Sequence, residues 1–349
     1  MLSNAVFRSA SLVNISLVVI SIVISAVVGE VFLRLYGHRG APESIISNIR
    51  LVEDKTLNWR YIPNSIVETG SVSYQYNDMG FRDVHHNRER TDHVHRVIVV
   101  GDSVSEGAEV AWESIFASQL QDRLGVDYEI INLAMSGLNT PQEIHLLEKE
   151  GLVYKPDTVI LNFVLNDVDF YTEYFAAKRF EQEKDSTIGL LGMSISPKAK
   201  RLLKSSALIY FVKERVENLV GRLMGKQETN YFVQLWDKPE NRKKILEGFA
   251  RLGELSRAHC FRAVVVIWPL LTDYGHYEFT SIHEWTASVA RRNEIGVIDL
   301  YRQFSKMSFR DLQVTAEDNV HPNATGYRIA AQTVSNMLNA QQKSLDCMN

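Results

Sequence analysis

Cysteine is almost missing from this chain: only Cys260 and Cys347 occur in 349 residues. Two thiols exclude a disulfide framework and a cysteine-rich zinc site, and they leave the redox compartment open. A basic excess is missing too, since 38 Lys and Arg stand against 42 Asp and Glu, for a formal net charge of -4. No nucleic-acid partner is expected, because that needs Lys and Arg clustered on one face. There is no internal repeat and no low-complexity tract. Apolar residues at 45% and charged residues at 23% exclude disorder across the whole chain. The length suits one large catalytic domain or two modest ones.

Two catalytic signatures are absent as well. No Gly-x-Gly-x-x-Gly follows the first apolar strand, which argues against a dinucleotide site. The Gly-x-Ser-x-Gly elbow of α/β-hydrolases is not found. His85-His86 and His93-Val94-His95 lack a third ligand at metal-binding spacing, so they read as a solvated loop.

Long apolar runs are confined to one place. From Ser9 to Gly29 no residue is charged, between Arg8 and Glu30. A helix rising about 1.5 Å per residue spans roughly 30 Å of hydrocarbon over that length. Its serines can bond back to the i-4 carbonyl. An uncleaved transmembrane anchor, a cleaved signal peptide and a buried core helix all fit; the anchor is the leading expectation. The apolar pattern runs on through Val31, Phe32, Leu33 and Leu35. Counted plainly, Arg34, Arg39 and Arg50 against Arg8 favour a cytoplasmic body.

The organisation expected is an anchor over 1–36, a connector and lead-in over 37–92, and a catalytic domain over 93–349. Within the lead-in, Ser71 to Tyr76 alternates as a short strand. From residue 93 the pattern is strand, helix, strand, helix. Arg96 to Val100 is a short apolar run ending in Gly101, as in a strand buried on both faces. Further strands are predicted at Tyr128 to Leu133, Thr158 to Val164, Ala263 to Trp268 and Gly296 to Ile298. Helical periodicity links Phe116, Leu120 and Leu124, then Ile245, Phe249 and Leu252, then Ile282, Trp285 and Val289, and last Tyr327, Ala330, Val334 and Met337. Thr140-Pro141-Gln142-Glu143 signals a helix start. Five parallel strands with covering helices predict a three-layer α/β/α sandwich, whose site lies at the carboxyl ends of the strands.

The alternation stops between about 170 and 240. This insertion is charged from Lys178 to Asp185 and then amphipathic, with Leu208, Val212, Val216, Leu219 and Leu223 at helical spacing. It reads as a helical elaboration packed on the sheet, or as a lid leaving the third strand's carboxyl end. Trp268, Trp285 and the tyrosines near Tyr171 suit core packing better than a pocket.

Three residues follow strand ends, and a fourth candidate stands near the C-terminus. Ser103 stands just past the first strand in Gly101-Asp102-Ser103-Val104-Ser105-Glu106-Gly107. As a nucleophile it needs a base for its proton and donors for an oxyanion; taken alone it is a helix cap. Gly137 follows the second strand and Asn166 the third, each taken alone a turn residue. His321 lies three residues after Asp318, an offset that lets the carboxylate reach Nδ1 and leaves Nε2 for the serine.

Taken together, these residues resemble the SGNH hydrolases, the GDSL-type esterase and lipase superfamily. Gly101-Asp102-Ser103 with Gly107 resembles its first block, Gly137 its second, Asn166-Asp167 its third and Asp318 with His321 its fifth, in order over about residues 96 to 340. The resemblance implies Ser103 as nucleophile, His321 as base and Asp318 as its orienter. It implies an oxyanion hole from the Ser103 N–H, the Gly137 N–H and the Asn166 side chain, on a flavodoxin-like fold without metal or organic cofactor. Val164 departs from the family's usual glycine two residues before the Asn, which predicts a narrower cleft or a shifted amide. The lead-in Asn77 to Asp83 is similar to that of membrane-anchored bacterial members, which implies a body outside the cytoplasmic membrane, against the charge count. The expected reaction is hydrolysis of an O-acyl ester, such as acetyl on a glycan. An O-acyltransferase using the same site and a catalytically silent glycan-binding scaffold are the alternatives. Asn323-Ala324-Thr325 fits a glycosylation sequon but more simply opens the last helix.

Overall fold

Five runs rich in β-branched residues set the centre of the fold. They are β1 (His95–Val100), β2 (Tyr128–Asn132), β3 (Thr158–Val164), β4 (Arg262–Trp268) and β5 (Gly296–Asp299). All neighbours pair in parallel, in the order β2-β1-β3-β4-β5. This is the flavodoxin-like order, which reverses direction at β1 and opens a crevice at the carboxyl ends of β1 and β3. The computed structural model describes residues 2–36, 49–168 except 53, 55, 58, 70 and 71, then 189–190, 193–194, ten positions between 203 and 216, and 228–346 except 317. Tyr171, the charged stretch from Lys178 to Asp185, Leu219 and Leu223 lie outside the described residues.

The chain divides into two compact units: residues 1–43 with 181–227, and residues 44–180 with 228–349. In the first, α1 (Leu2–Leu35) is one long helix. Ser16 to Leu35 has a mean hydropathy of 2.5 and is 6% buried, long and apolar enough to cross a bilayer. The Ser21 hydroxyl donates to the Leu17 carbonyl at 2.8 Å, so this polar side chain is satisfied within the helix.

In the second unit, the helices include α2 (Ser103–Glu106), α3 (Phe116–Leu124), α4 (Thr140–Leu146), α5 (Glu228–Trp236), α6 (Pro239–His259), α7 (Thr280–Arg292) and α8 (Ala324–Asp346). Side chains alternate across a strand, so each sheet face carries its own core. Ile98, Val100, Ile131, Leu161 and Val265 pack with α4, α6 and α7. Val97, Val99, Ile160, Val264 and Val266 pack with α3 and α8. Burial at about 25 cal/mol per Å² makes these two layers the main stabilising contribution.

The lead-in is more than a connector. Two antiparallel hairpins, Ile49–Leu51 with Trp59–Tyr61 and Ile66–Thr69 with Val72–Gln75, bring Trp59, Tyr61, Tyr74 and Tyr76 into the first core. Buried Arg96 ties the lead-in to the sheet: it pairs with Glu129 at 2.7 Å and donates to the carbonyls of Asn87, Arg88, Glu89 and Tyr154. Alternation within a single hairpin shows a half-buried strand, but not which core receives it.

Candidate active site

The site is built at the rim that the strand order opens. β1 ends at Val100, and Asp102 caps α2 by accepting the Val104 N–H at Oδ1, 2.9 Å. Ser103 is therefore the first residue of α2, on the carboxyl side of the sheet. Its hydroxyl lies 2.8 Å from His321 Nε2, across 218 positions of sequence. His321 Nδ1 lies 2.7 Å from Asp318 Oδ2, while Asp318 Oδ1 accepts the N–H groups of Val320 and His321. An ionised carboxylate only accepts, so Nδ1 carries the proton and Nε2 is left to accept from Ser103.

The histidine loop is pinned from both sides. Val314 N–H donates to the His321 carbonyl, Leu271 N–H to the Asn319 carbonyl, and Asn323 N–H to the Leu312 carbonyl. Burial lowers the His321 imidazole, but the Asp318 hydrogen bond and charge outweigh it and hold the ring above its ordinary value. Burial raises the Asp318 carboxyl, and His321 outweighs that in turn, leaving the acid below its ordinary range. Each partner thus favours the charged form of the other across the 2.7 Å contact.

Asn166 lies in the turn Leu165–Val168 that follows β3. Its Nδ2 donates to Asp102 Oδ2 at 2.9 Å, which brings the amide beside the Ser103 turn. Burial pushes the Asp102 carboxyl up. Val164, where a narrower cleft was expected, is buried in the α3/α8 core, and its N–H donates to Asp167 Oδ2 at 3.0 Å. Its side chain is a member of that core, which takes up the bulk at this position.

Gly137 sits in the loop after β2 with φ 78°, and nothing lies within 4 Å of where a β-carbon would stand. The left-handed backbone explains the glycine, and the residue is exposed. Gly107, the end of α2, has φ 86°, and a β-carbon there would meet the Ile115 side chain at 2.2 Å.

Sequence reasoning missed what holds the Gly137 loop. Glu106, fully buried at the end of α2, accepts from the Tyr61 hydroxyl (3.0 Å), the Tyr76 hydroxyl (2.9 Å) and the Ser136 N–H (2.7 Å), and also from the Ser136 hydroxyl. Burial and the Glu106 charge raise both phenols, so both remain donors. Alternation of Tyr74 and Tyr76 on the lead-in strand was the available signal. Behind the Asn166 turn, Glu143 and Asp167 are also fully buried, and burial, together with a neighbouring carboxyl, pushes each well above the ordinary carboxylate range.

The histidines split. His85 pairs with Asp78 at the surface, as a solvated loop predicts, but His86 is buried between Asp83 and Glu129 at 3.0 and 2.9 Å. A single-sequence pattern does not reveal that second carboxylate, 43 positions away. Among the described residues, no group of three or more His, Cys, Asp or Glu is placed to hold a metal ion. Trp268 is a core residue, edge-on to Phe116, Phe304 and Tyr327.

Three solved structures are similar in architecture. One is that of TesA (17% identity, 70% of this chain and 98% of the other, TM-score 0.41). A second is an acetyl xylan esterase (16%, 69% and 98%, TM-score 0.42). A third is the psychrotrophic esterase EstA from Pseudoalteromonas sp. (14%, 72% and 99%, TM-score 0.42). No curated protein matches the chain. The model of the GDSL-like lipase/acylhydrolase family matches residues 99–329, which take in Ser103, Gly137, Asn166, Asp318 and His321. Since that match covers most of the chain, the protein belongs to the GDSL-like lipase/acylhydrolase family and is an ester-hydrolysing enzyme.

Proposed function

We propose that this enzyme is a membrane-anchored serine esterase that cleaves O-acyl esters through an acyl-enzyme on Ser103. One observation carries the reading: the continuous hydrogen-bonded chain from the Ser103 hydroxyl through His321 to Asp318, at 2.8 and 2.7 Å. Ser103 Oγ attacks the ester carbonyl carbon while His321 Nε2 takes the hydroxyl proton. The Ser103 and Gly137 N–H groups and Asn166 Nδ2 hold the tetrahedral oxyanion. The ester C–O bond then breaks as Nε2 returns the proton to the leaving alcohol. Water repeats the sequence, releasing the acid and freeing Ser103. Asp318 keeps the imidazole in the tautomer that can accept.

The proposed substrate class is an O-acyl ester, with acetyl on a glycan as the first case to test. Helix α1 is the proposed anchor, and the family resemblance implies a catalytic unit outside the cytoplasmic membrane, read by protease access in intact cells. A panel of acetyl, butyryl and longer p-nitrophenyl esters, run beside fluorophosphonate labelling, tests the chemistry. Wild type should turn over esters and label at Ser103, and Ser103→Ala should do neither. A protein whose serine stays unlabelled and whose ester turnover survives Ser103→Ala has a different mechanism. Acyl transfer to an added acceptor glycan, without release of free acid, would replace hydrolysis by the transferase reading.

A further inference from the structure

The unit that contains α1 carries a second apolar element. Glu30 is the single acidic residue between Ser16 and Leu35. Its carboxylate accepts from the Ser206 hydroxyl (2.8 Å) and the N–H groups of Ala207 (3.1 Å) and Leu208 (2.9 Å). The two N–H groups are donors of the kind that a helix start leaves without intrahelical partners, so a residue of α1 caps the helical residues described at 207–209, 211–212 and 215–216. Arg34 adds a bond to the Ser205 carbonyl at 2.7 Å, and the Leu208 methyls come within 3.6 and 3.7 Å of a β-carbon position on Gly29. The second helix thus begins at the carboxyl end of the apolar span.

Its free face is apolar. Ile209, Val212 and Val216 follow one another at helical i, i+3, i+7 spacing and are 44%, 51% and 52% exposed. Ala207, on the other side, is buried. The flanking charge has one sign: Lys198, Lys200, Arg201, Lys204, Lys213 and Arg215 stand against Glu214 alone between 198 and 216, in a chain whose formal net charge is -4. Apolar stripe, basic flank and attachment to the end of a spanning helix are the features of an element lying in a membrane interface.

We propose that the segment 203–216 is an in-plane membrane-surface helix whose Ile209, Val212 and Val216 stripe enters the headgroup–acyl boundary of an anionic bilayer beside α1. The proposal rests on the anchor reading of α1. The insertion is then a membrane-contact element, and Glu30 is the joint between the spanning and in-plane helices.

The test uses the full chain, with Cys260→Ser and Cys347→Ser, in liposomes containing phosphatidylglycerol. Spin labels are placed one at a time through Val212→Cys, Val23→Cys in α1, and Val126→Cys on the solvent-exposed surface of the catalytic unit, and collision with oxygen and with a water-soluble nickel complex is compared. The label at 212 should show an oxygen-to-nickel ratio severalfold above that at 126 and below that at 23. Lipid with no net charge should lower the ratio at 212 severalfold and leave 23 unchanged. A water-like signal at 212 with a lipid-like signal at 23 overturns the proposal and leaves the anchor standing. A water-like signal at 23 removes the anchor and the proposal with it. Dipolar coupling between 212 labels on separate copies, with low oxygen access, assigns the stripe to self-association and also overturns the proposal. An unchanged ratio at 212 in uncharged lipid overturns the anionic assignment.

Discussion

In the proposed mechanism His321 works as a base only when neutral, and its pairing with Asp318 works against that state. Because Asp318 holds the imidazole above its ordinary value, despite the opposing effect of burial, protonation persists to a higher pH than in a free histidine. The acid limb of kcat/KM should therefore lie above the ordinary histidine value and rise as pH passes upward through it. Asp318→Asn, which removes the charge that lifts the ring, should move the limb to lower pH and cut turnover sharply; a pH–rate profile reads both. A limb unmoved in Asp318→Asn would detach that carboxylate from the base. Asn166 is the second residue to probe, since its amide stands beside the Ser103 turn, bonded to Asp102. A lost oxyanion donor costs about 3 kcal/mol of barrier, so Asn166→Ala should slow kcat by about a hundredfold or more. Steady-state kinetics on p-nitrophenyl acetate decides it, and near-normal kcat would take Asn166 out of the mechanism. These residues were legible because each stands just past an apolar run or at a turn-length offset from a partner. Val164 was not: the residue type is visible in sequence, but which sheet face it packs on is set by register.

At the scale of elements, α2 joins the proposed nucleophile to the proposed oxyanion loop. Ser103 starts it and Glu106 ends it, and Glu106 holds Ser136, the residue before Gly137. Glu106→Gln keeps the size but replaces one acceptor oxygen by a donor, facing hydroxyls and an N–H that need acceptors. The expected result is a fall in kcat with KM little changed, because the loop would present its N–H less well to the transition state than to the ground state. Equal activity in Glu106→Gln, with the fold intact by circular dichroism, would deny the loop this support. The strands could be read directly from sequence, since β1 and β3 are continuous apolar runs buried on both faces. The partners of Glu106 could not. Tyr61 and Tyr76 lie 45 and 30 positions before it, on separate hairpins whose alternation gives a buried face but no destination.

Over the whole molecule, the catalytic unit has its own two cores, and α1 belongs to the other unit. Removing residues 1–36, and with them the Glu30 cap of the 203–216 segment, should yield a protein that leaves the membrane fraction and keeps ester turnover, measured by fractionation and assay of both fractions. Retention of the shortened chain in the membrane fraction would point to a second attachment, for which the segment at 203–216 is the candidate. The interior cut has the opposite outcome. The sequence pattern invites a boundary at residue 93, where regular strand–helix alternation begins, yet the phenols that grip Glu106 come from upstream of it. A hydrolase excised or transplanted from 93 onward would leave a buried carboxylate without two of its donors, so the smallest portable enzyme has to begin before the first hairpin, near residue 49.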